Sequence, residues 1–245
     1  MQDPEVRYLQ PYTCIAATLT AFVQAITEIK EDQQWLFRGQ ANEAWLLVPS
    51  LFRARHLADT VRRAERDMLE EFKRYAPPHL DRSPATEWEW LALAQHHGIP
   101  TRLLDWTTNP LAALLFAVSN PTDCDSAVWC FRYRRSHQTD AIDPYAITEV
   151  HVVRPGHFNP RIVGQFSHFT AHPIPLRPFE ARKDVGEELT RIIIPRASRN
   201  TIRVELDRVG INFATLFPDL DGIARHITWS NTVLPDEEGS TTRNG

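Results

Sequence analysis

In the segment QWLFRGQ, residues 34 to 40, Arg38 stands between Phe37 and Gly39 on a stretch that predicts a short β-strand ended at the glycine. A guanidinium among such neighbours is costly to bury unless it meets an anion. That anion is either an internal carboxylate, with Asp105 the foremost candidate, or a phosphate or carboxylate of a ligand gripped by paired N–H bonds. Gly39 lets a ligand or another stretch of chain approach the backbone closely, and Gln40 adds a neutral donor and acceptor. A second chemistry-bearing stretch is LLDWTTNPLAALLFA, residues 103 to 117. There Asp105, Trp106, Thr107 and Thr108 gather ahead of an apolar helix whose cap is Thr108 or Asn109 and whose first turn holds Pro110. A cap needs only one of them, so the cluster reads in two ways: a capped helix packed in a core, or one wall of a pocket. In the second reading Asp105 supplies charge and Trp106 a flat face for a planar ring. The two threonine hydroxyls, beside first-turn N–H groups, make an anion- or ribose-friendly surface.

Other chemistries find little support. His96 and His97 are adjacent, hence on different faces of a helix, so a structural role near the helix end is expected of both. His151, His157, His168 and His172 are scattered without an acidic partner at ligand spacing, and no metal is expected. Cys14, Cys124 and Cys130 show neither metal-ligand spacing nor a nucleophile signature and read as inert thiols. The chain has no G-x-S-x-G elbow, no G-x-G-x-x-G and no P-loop. FRYRR, residues 131 to 135, reads as a solvated strand end.

The elements that must position these residues follow from apolar spacing and breakers. A helix is predicted over 13 to 31, a strand at QWLFRGQ, and a second extended piece at AWLLVPSLFR halted by Pro49. A helix over 57 to 75 follows, its run Arg62, Arg63, Glu65, Arg66, Asp67, Glu70 and Glu71 predicted as a solvated face. Trp88, Leu91, Ala92 and Gln95 line a helix ending near Gly98, and IPTRLLDW crosses from it to the helix after Pro110. Strands are expected at SAVWCFRY, ITEVHVV, the second half of VGQFSHFTAH, and LTRIIIP. A helix capped by Ser198 and stopped by Gly210 comes next, then a short one after LFPDLDG. Helices first and strands later favour an α+β fold over a doubly wound parallel sheet. With 245 residues, 42% hydrophobic and 24% charged, the chain has material for a substantial core. A net charge of −4 gives no global attraction for nucleic acid or anionic membrane, so such binding would need a local site. The opening MQDPEVRYLQ lacks the regions of a signal peptide and no apolar run reaches a membrane span, so a cytoplasmic location and no membrane partner are expected.

LFRGQ with LVPSLFR, then LAQHHGIPTRLLDWTTNPLAALLFA, NPRIVGQFSHFTAHP and GINFATLFPDLDGIA resemble the successive motifs of the FRG domain, named for its Phe-Arg-Gly, over about residues 35 to 225. On that basis the chain divides into an N-terminal helical segment over 1–34 packed on the domain, an FRG domain over 35–230 and a flexible tail over 231–245. A more distant resemblance is to ADP-ribosyltransferases. In it Arg38 takes the place of the strand-end arginine, Thr107 and Thr108 that of the hydroxyl-rich turn with Ala113 and Phe116 behind, and Gln165 that of the catalytic carboxylate.

This resemblance implies helices packed on a mixed or antiparallel split sheet around a central cleft, with NAD as substrate and no metal. Its catalytic set here would be Arg38, Asp105 and Gln165, with Gly39, Gln40, Arg102, Trp106, Thr107 and Thr108 binding ligand. Cleaving the nicotinamide glycosidic bond passes through an oxocarbenium-like state. Gln165 brings no charge to offset it, a gap that Asp105 would fill. The acceptor would be water, a protein or a nucleic acid, in a bacterial toxin–antitoxin or phage-defence setting. The alternative is a non-catalytic nucleotide- or anion-binding sensor or interaction module. In a third, purely structural reading, Arg38, Arg102 and Asp105 neutralise one another.

Overall fold

A computed structural model describes residues 12–29, 34–54, 60–120, 122–133, 142–154, 167–176 and 189–232. Seven strands form one open mixed sheet: β1 (Tyr12–Ile15), β2 (Gln34–Gln40), β3 (Leu103–Thr107), β4 (Ser126–Tyr133), β5 (His151–Val153), β6 (Ser167–Ala171) and β7 (Leu189–Ile194), in the order β1-β7-β4-β2-β3-β6-β5. β1 runs parallel to β7, and every other neighbouring pair is antiparallel. The helices are α1 (Leu19–Thr27), α2 (Ser50–Arg53), α3 (Val61–Tyr75), α4 (Glu87–His96), α5 (Pro110–Val118), α6 (Arg199–Arg208), α7 (Phe213–Leu216) and α8 (Leu220–Asn231). The α+β class and the strands in the second half agree with the sequence pattern.

Three local readings are corrected. The helix predicted over 13–31 begins only at Leu19, where the Thr18 hydroxyl accepts the Ala21 N–H. Upstream, Tyr12–Ile15 lies along β7, so the N-terminal segment supplies an edge strand as well as a helix. AWLLVPSLFR is not extended throughout, because α2 starts after Pro49 while Leu47 turns into the core. IPTRLLDW ends in a strand, held by β6 through all five residues of β3. Gly98 and Gly210, at φ of 86° and 81°, sit just beyond α4 and α6 in the conformation that glycine adopts without strain.

Register shows which side chains share a face. Phe37 lies opposite both Cys130 and Thr107, Asp105 opposite Phe169, and Leu103 opposite Ala171, so all seven project to one side. On that side α1, α5, α6 and α7 cover the half built of β1, β7, β4 and β2, through Phe22, Leu114, Ile202 and Phe213. The other half is covered by α3 and α4, through Leu69, Trp88 and Leu91. The opposite side carries Leu36, Leu47, Leu104, Trp106, Trp129 and Phe131.

The two halves join weakly. All seven residues of β2 pair with β4, whereas β2 meets β3 at the single register pair Phe37 and Thr107. From that pair towards Leu103 and Gln40 the two strands share no further register pair.

Helix α5 lies against β2 so closely that a Cβ on Gly39 would sit 2.0 Å from the Ala113 carbonyl oxygen and 2.7 Å from the Ala117 nitrogen. Gly39 thus serves the approach of another stretch of chain. Both contacts are helix backbone, which cannot swing aside. Gly39→Ala is expected to lower stability by about 1–3 kcal/mol or more, measured by urea unfolding; an unchanged midpoint would contradict this packing. At its other end α5 is anchored by arginines. Arg203 donates to the Ser119 carbonyl and Arg199 to those of Asn120 and Thr122, cations set where the helix leaves its carbonyls unpaired.

Candidate functional site

Over the opening between β2 and β3, and between α4 and α5, lies a cavity of about 430 Å³. Its polar wall comes from Arg38, Gln95, His96, Asp105 and Thr107, and its apolar wall from Phe37, Phe116 and Phe217 among others.

Arg38 starts on the Trp129 side of the sheet and reaches across the opening. Its Nη1 donates to the Asp105 carbonyl oxygen at 2.8 Å, a side-chain bond placed where the β2–β3 ladder has lapsed. The same nitrogen is 3.7 Å from Asp105 Oδ2. The Arg38 side chain is 20% exposed and that of Asp105 56%. Arg38 Nε is buried without a hydrogen-bond partner. Burial pulls the guanidinium below its ordinary pKa; the charge of Asp105 opposes that shift, and that of nearby Arg53 adds to it.

Asp105 is oriented from α4. Gln95 Nε2 donates to Asp105 Oδ2 at 3.0 Å and to the Leu103 carbonyl at 3.4 Å, while Gln95 Oε1 accepts the Thr101 hydroxyl at 2.7 Å. A neutral amide thus fixes one carboxylate oxygen. Asp105 Oδ1 makes no hydrogen bond among the described residues and remains available to a guest.

The structure separates the remaining sequence candidates. Arg102 does not line the cavity. It and Glu65 are each 1% exposed and pair through several N–H bonds, and Arg102 Nη1 also donates to the Pro144 carbonyl at 2.6 Å. The internal-neutralisation reading thus holds for Arg102, with Glu65 rather than Asp105 as its partner, and Glu65 is no part of a solvated face.

Trp106 borders the cavity, but alternation along β3 sends its indole to the opposite side. There it is 3% exposed, donates to Thr170 Oγ1 at 2.9 Å and packs on Phe131. Its ring is packed within the fold. Gln40 is buried, its Oε1 accepting the Trp129 indole N–H at 2.8 Å, and does not line the cavity.

Thr107 lines the cavity, and its hydroxyl accepts the Asn109 N–H at 3.1 Å. Thr108 is exposed and Asn109 is the cap, taking the Leu111 and Ala112 N–H groups on Oδ1 at 3.0 and 3.2 Å. Pro110 has no N–H and Ala113 donates to the Asn109 carbonyl, so the first turn of α5 keeps no amide for an anion. The anion surface expected there is absent. Gln165 lies outside the described residues.

Gln95, Phe217 and His96 also line the cavity, a placement that residue types and spacing do not single out. His96 lines the cavity, and only His97 is the structural cap of α4. The signal for Gln95 and His96 was their place in the QHHG run, one β-crossing ahead of Asp105. Among the described residues no group of His, Cys, Asp and Glu could hold a metal ion, and no helix is long and apolar enough to cross a membrane. Cys130 is buried, and burial pushes its thiol well up; Cys14 is raised for the same first reason.

The family model of the FRG domain matches residues 33–126, which span β2, β3 and α5 and hence Arg38, Gln95, Asp105 and Phe116. Over these residues the chain is similar to the FRG domain. No curated protein and no solved structure matches the chain. The FRG match ends at the first residue of β4, so Phe217 reaches the cavity from outside the matched segment.

Proposed function

We propose that the cavity binds NAD and that the protein cleaves its nicotinamide–ribose bond, passing the ADP-ribosyl group to water or to a macromolecular acceptor. The observation that carries this reading is Asp105: a half-exposed carboxylate in an aromatic-walled cavity, fixed by Gln95 and 3.7 Å from Arg38. As the C–N bond breaks, its electron pair goes to the pyridinium nitrogen and positive charge grows on the ribose. A carboxylate held in place beforehand stabilises that charge without reorganising. The nucleophile's oxygen then bonds to the anomeric carbon and its proton leaves to solvent. Arg38 binds a phosphate or a ribose oxygen, with Arg53 as a second positive charge nearby. The distant resemblance to ADP-ribosyltransferases supports the same reading, with Gln165 as a further ribose contact. The resemblance to the FRG domain suggests a bacterial toxin–antitoxin or phage-defence setting.

A second reading, a nucleotide- or anion-binding module without chemistry, is favoured by one feature. The Asp105 carboxylate already faces the Arg38 charge at 3.7 Å and takes the Gln95 amide on Oδ2, so less of its charge is left for a cation developing on a ribose. Incubating the purified chain with NAD, with and without cell lysate as acceptor, separates the two. The enzyme reading expects nicotinamide release. Saturable binding with NAD left intact would establish the module instead.

A further inference from the structure

Phe116 and Phe217 are half-buried, and both line the cavity. Their rings meet edge to face, with centroids 5.8 Å apart and planes at 89°. Buried Phe213 backs this corner, stacked on Phe217 at 5.7 Å and edge-on to Phe116 at 6.2 Å. A planar ring laid flat on one wall of such a corner meets the edge of the other, and both arrangements are favourable for aromatic pairs. Asp105, Gln95 and Arg38 line the same cavity, so a ring seated here has donors and acceptors within the same space for its polar substituent.

We infer that the Phe116–Phe217 corner is the subsite for the planar heteroaromatic ring of the ligand, a pyridine or a purine, with Phe217 the residue that sets ring preference. This deepens the reading of the cavity as a nucleotide site and rests on it. The subsite is built jointly, Phe116 coming from the FRG segment and Phe217 from the stretch between α7 and α8.

Helix α8 holds Phe217 in place. A Cβ on Gly222 would lie 2.1 Å from the Phe217 carbonyl oxygen and 2.6 Å from Phe217 Cβ. The N–H of Gly222 is at the same time tied to the Asp219 cap at 2.9 Å. Only a residue without a side chain allows α8 to start this close behind the ring, so Gly222 is a positioning residue for the subsite.

The test titrates nicotinamide and adenosine separately into the full-length protein by ligand-observed NMR, with ribose 5-phosphate as a probe that has no planar ring. At least one ring probe is expected to bind, about tenfold more weakly to Phe217→Ala and Phe217→Leu. Phe217→Tyr should keep the affinity. Leucine preserves apolar bulk and the packing against Phe213, so a loss in that variant reports the ring and not the fold. Gly222→Ala should weaken the ring probe while ribose 5-phosphate is unaffected. Equal affinity in wild type and Phe217→Leu, or binding of neither ring by folded protein, overturns the subsite. Ring binding without any nicotinamide release from NAD sinks the reaction and leaves the subsite standing. Release with a KM unchanged in Phe217→Leu does the reverse.

Discussion

Glu65→Ala is expected to lower the free energy of unfolding by about 3–5 kcal/mol. The Arg102 guanidinium lies within the fold, and Glu65 meets it through Nε and Nη2 as well as through the Arg102 backbone N–H at 3.1 Å. Removing the carboxylate leaves a buried positive charge whose remaining contacts among the described residues are the Pro144 carbonyl and the Tyr145 ring, 5.1 Å away. Neither carries a formal charge. The loss is a large part of the roughly 5–15 kcal/mol that holds a typical domain together. Thermal and urea unfolding would measure it. The double variant Glu65→Met with Arg102→Met should recover most of the lost stability, because two apolar side chains of similar length need no desolvation. If the double variant were no more stable than Glu65→Ala, the pair would be holding something other than each other.

The second large effect concerns chemistry. Asp105→Asn keeps the shape of the side chain and its bond from Gln95 through the amide oxygen, while removing the negative charge. On the proposed reaction it should reduce the rate constant for nicotinamide release by about 10²-fold or more, the scale of losing one preorganised electrostatic contact to a transition state. NAD affinity should change much less, since in the ground state the positive charge sits on the pyridinium nitrogen and not on the ribose. Steady-state kinetics would show a fall in kcat with KM nearly constant. A rise in KM at constant kcat would assign Asp105 to binding alone. Arg38→Ala is expected to affect both constants, because its guanidinium ties the Asp105 backbone as well as facing the cavity.

Much of the scaffold was legible because it obeys local rules. Gly98 and Gly210 ended the helices they were expected to end, Asn109 and Pro110 opened α5, and β2 coincides with QWLFRGQ. β3 was not legible as a strand: LLDWT is five residues between two apolar helices, and its ladder partner β6 lies some 60 residues on. Hiding Trp106 from the cavity follows from that same alternation. Glu65 was illegible for another reason. It sits in a run of mixed charge that reads as solvated, and only the rotation of α3 turns it inward beside Ala64 and Leu69. The sequence leaves the approach of Arg38 to Asp105 as one of two options. What the sequence did not disclose is that the guanidinium spans an opening in the sheet, so that it contacts a carbonyl of its own fold and faces the cavity together. Phe217 escaped notice because its role depends on α8 packing behind it at Gly222, a contact that no periodicity encodes.

The central claim is that the opening between β2 and β3 is a ligand site in which Arg38 and Asp105 face the guest. Calorimetric titration with carba-NAD, whose glycosidic bond does not hydrolyse, reads this without relying on turnover. Saturable binding at one site is expected, weakened at least tenfold in Arg38→Ala and retained in Asp105→Asn. Absence of binding heat at any temperature with folded protein, or affinity indifferent to Arg38→Ala, would contradict it.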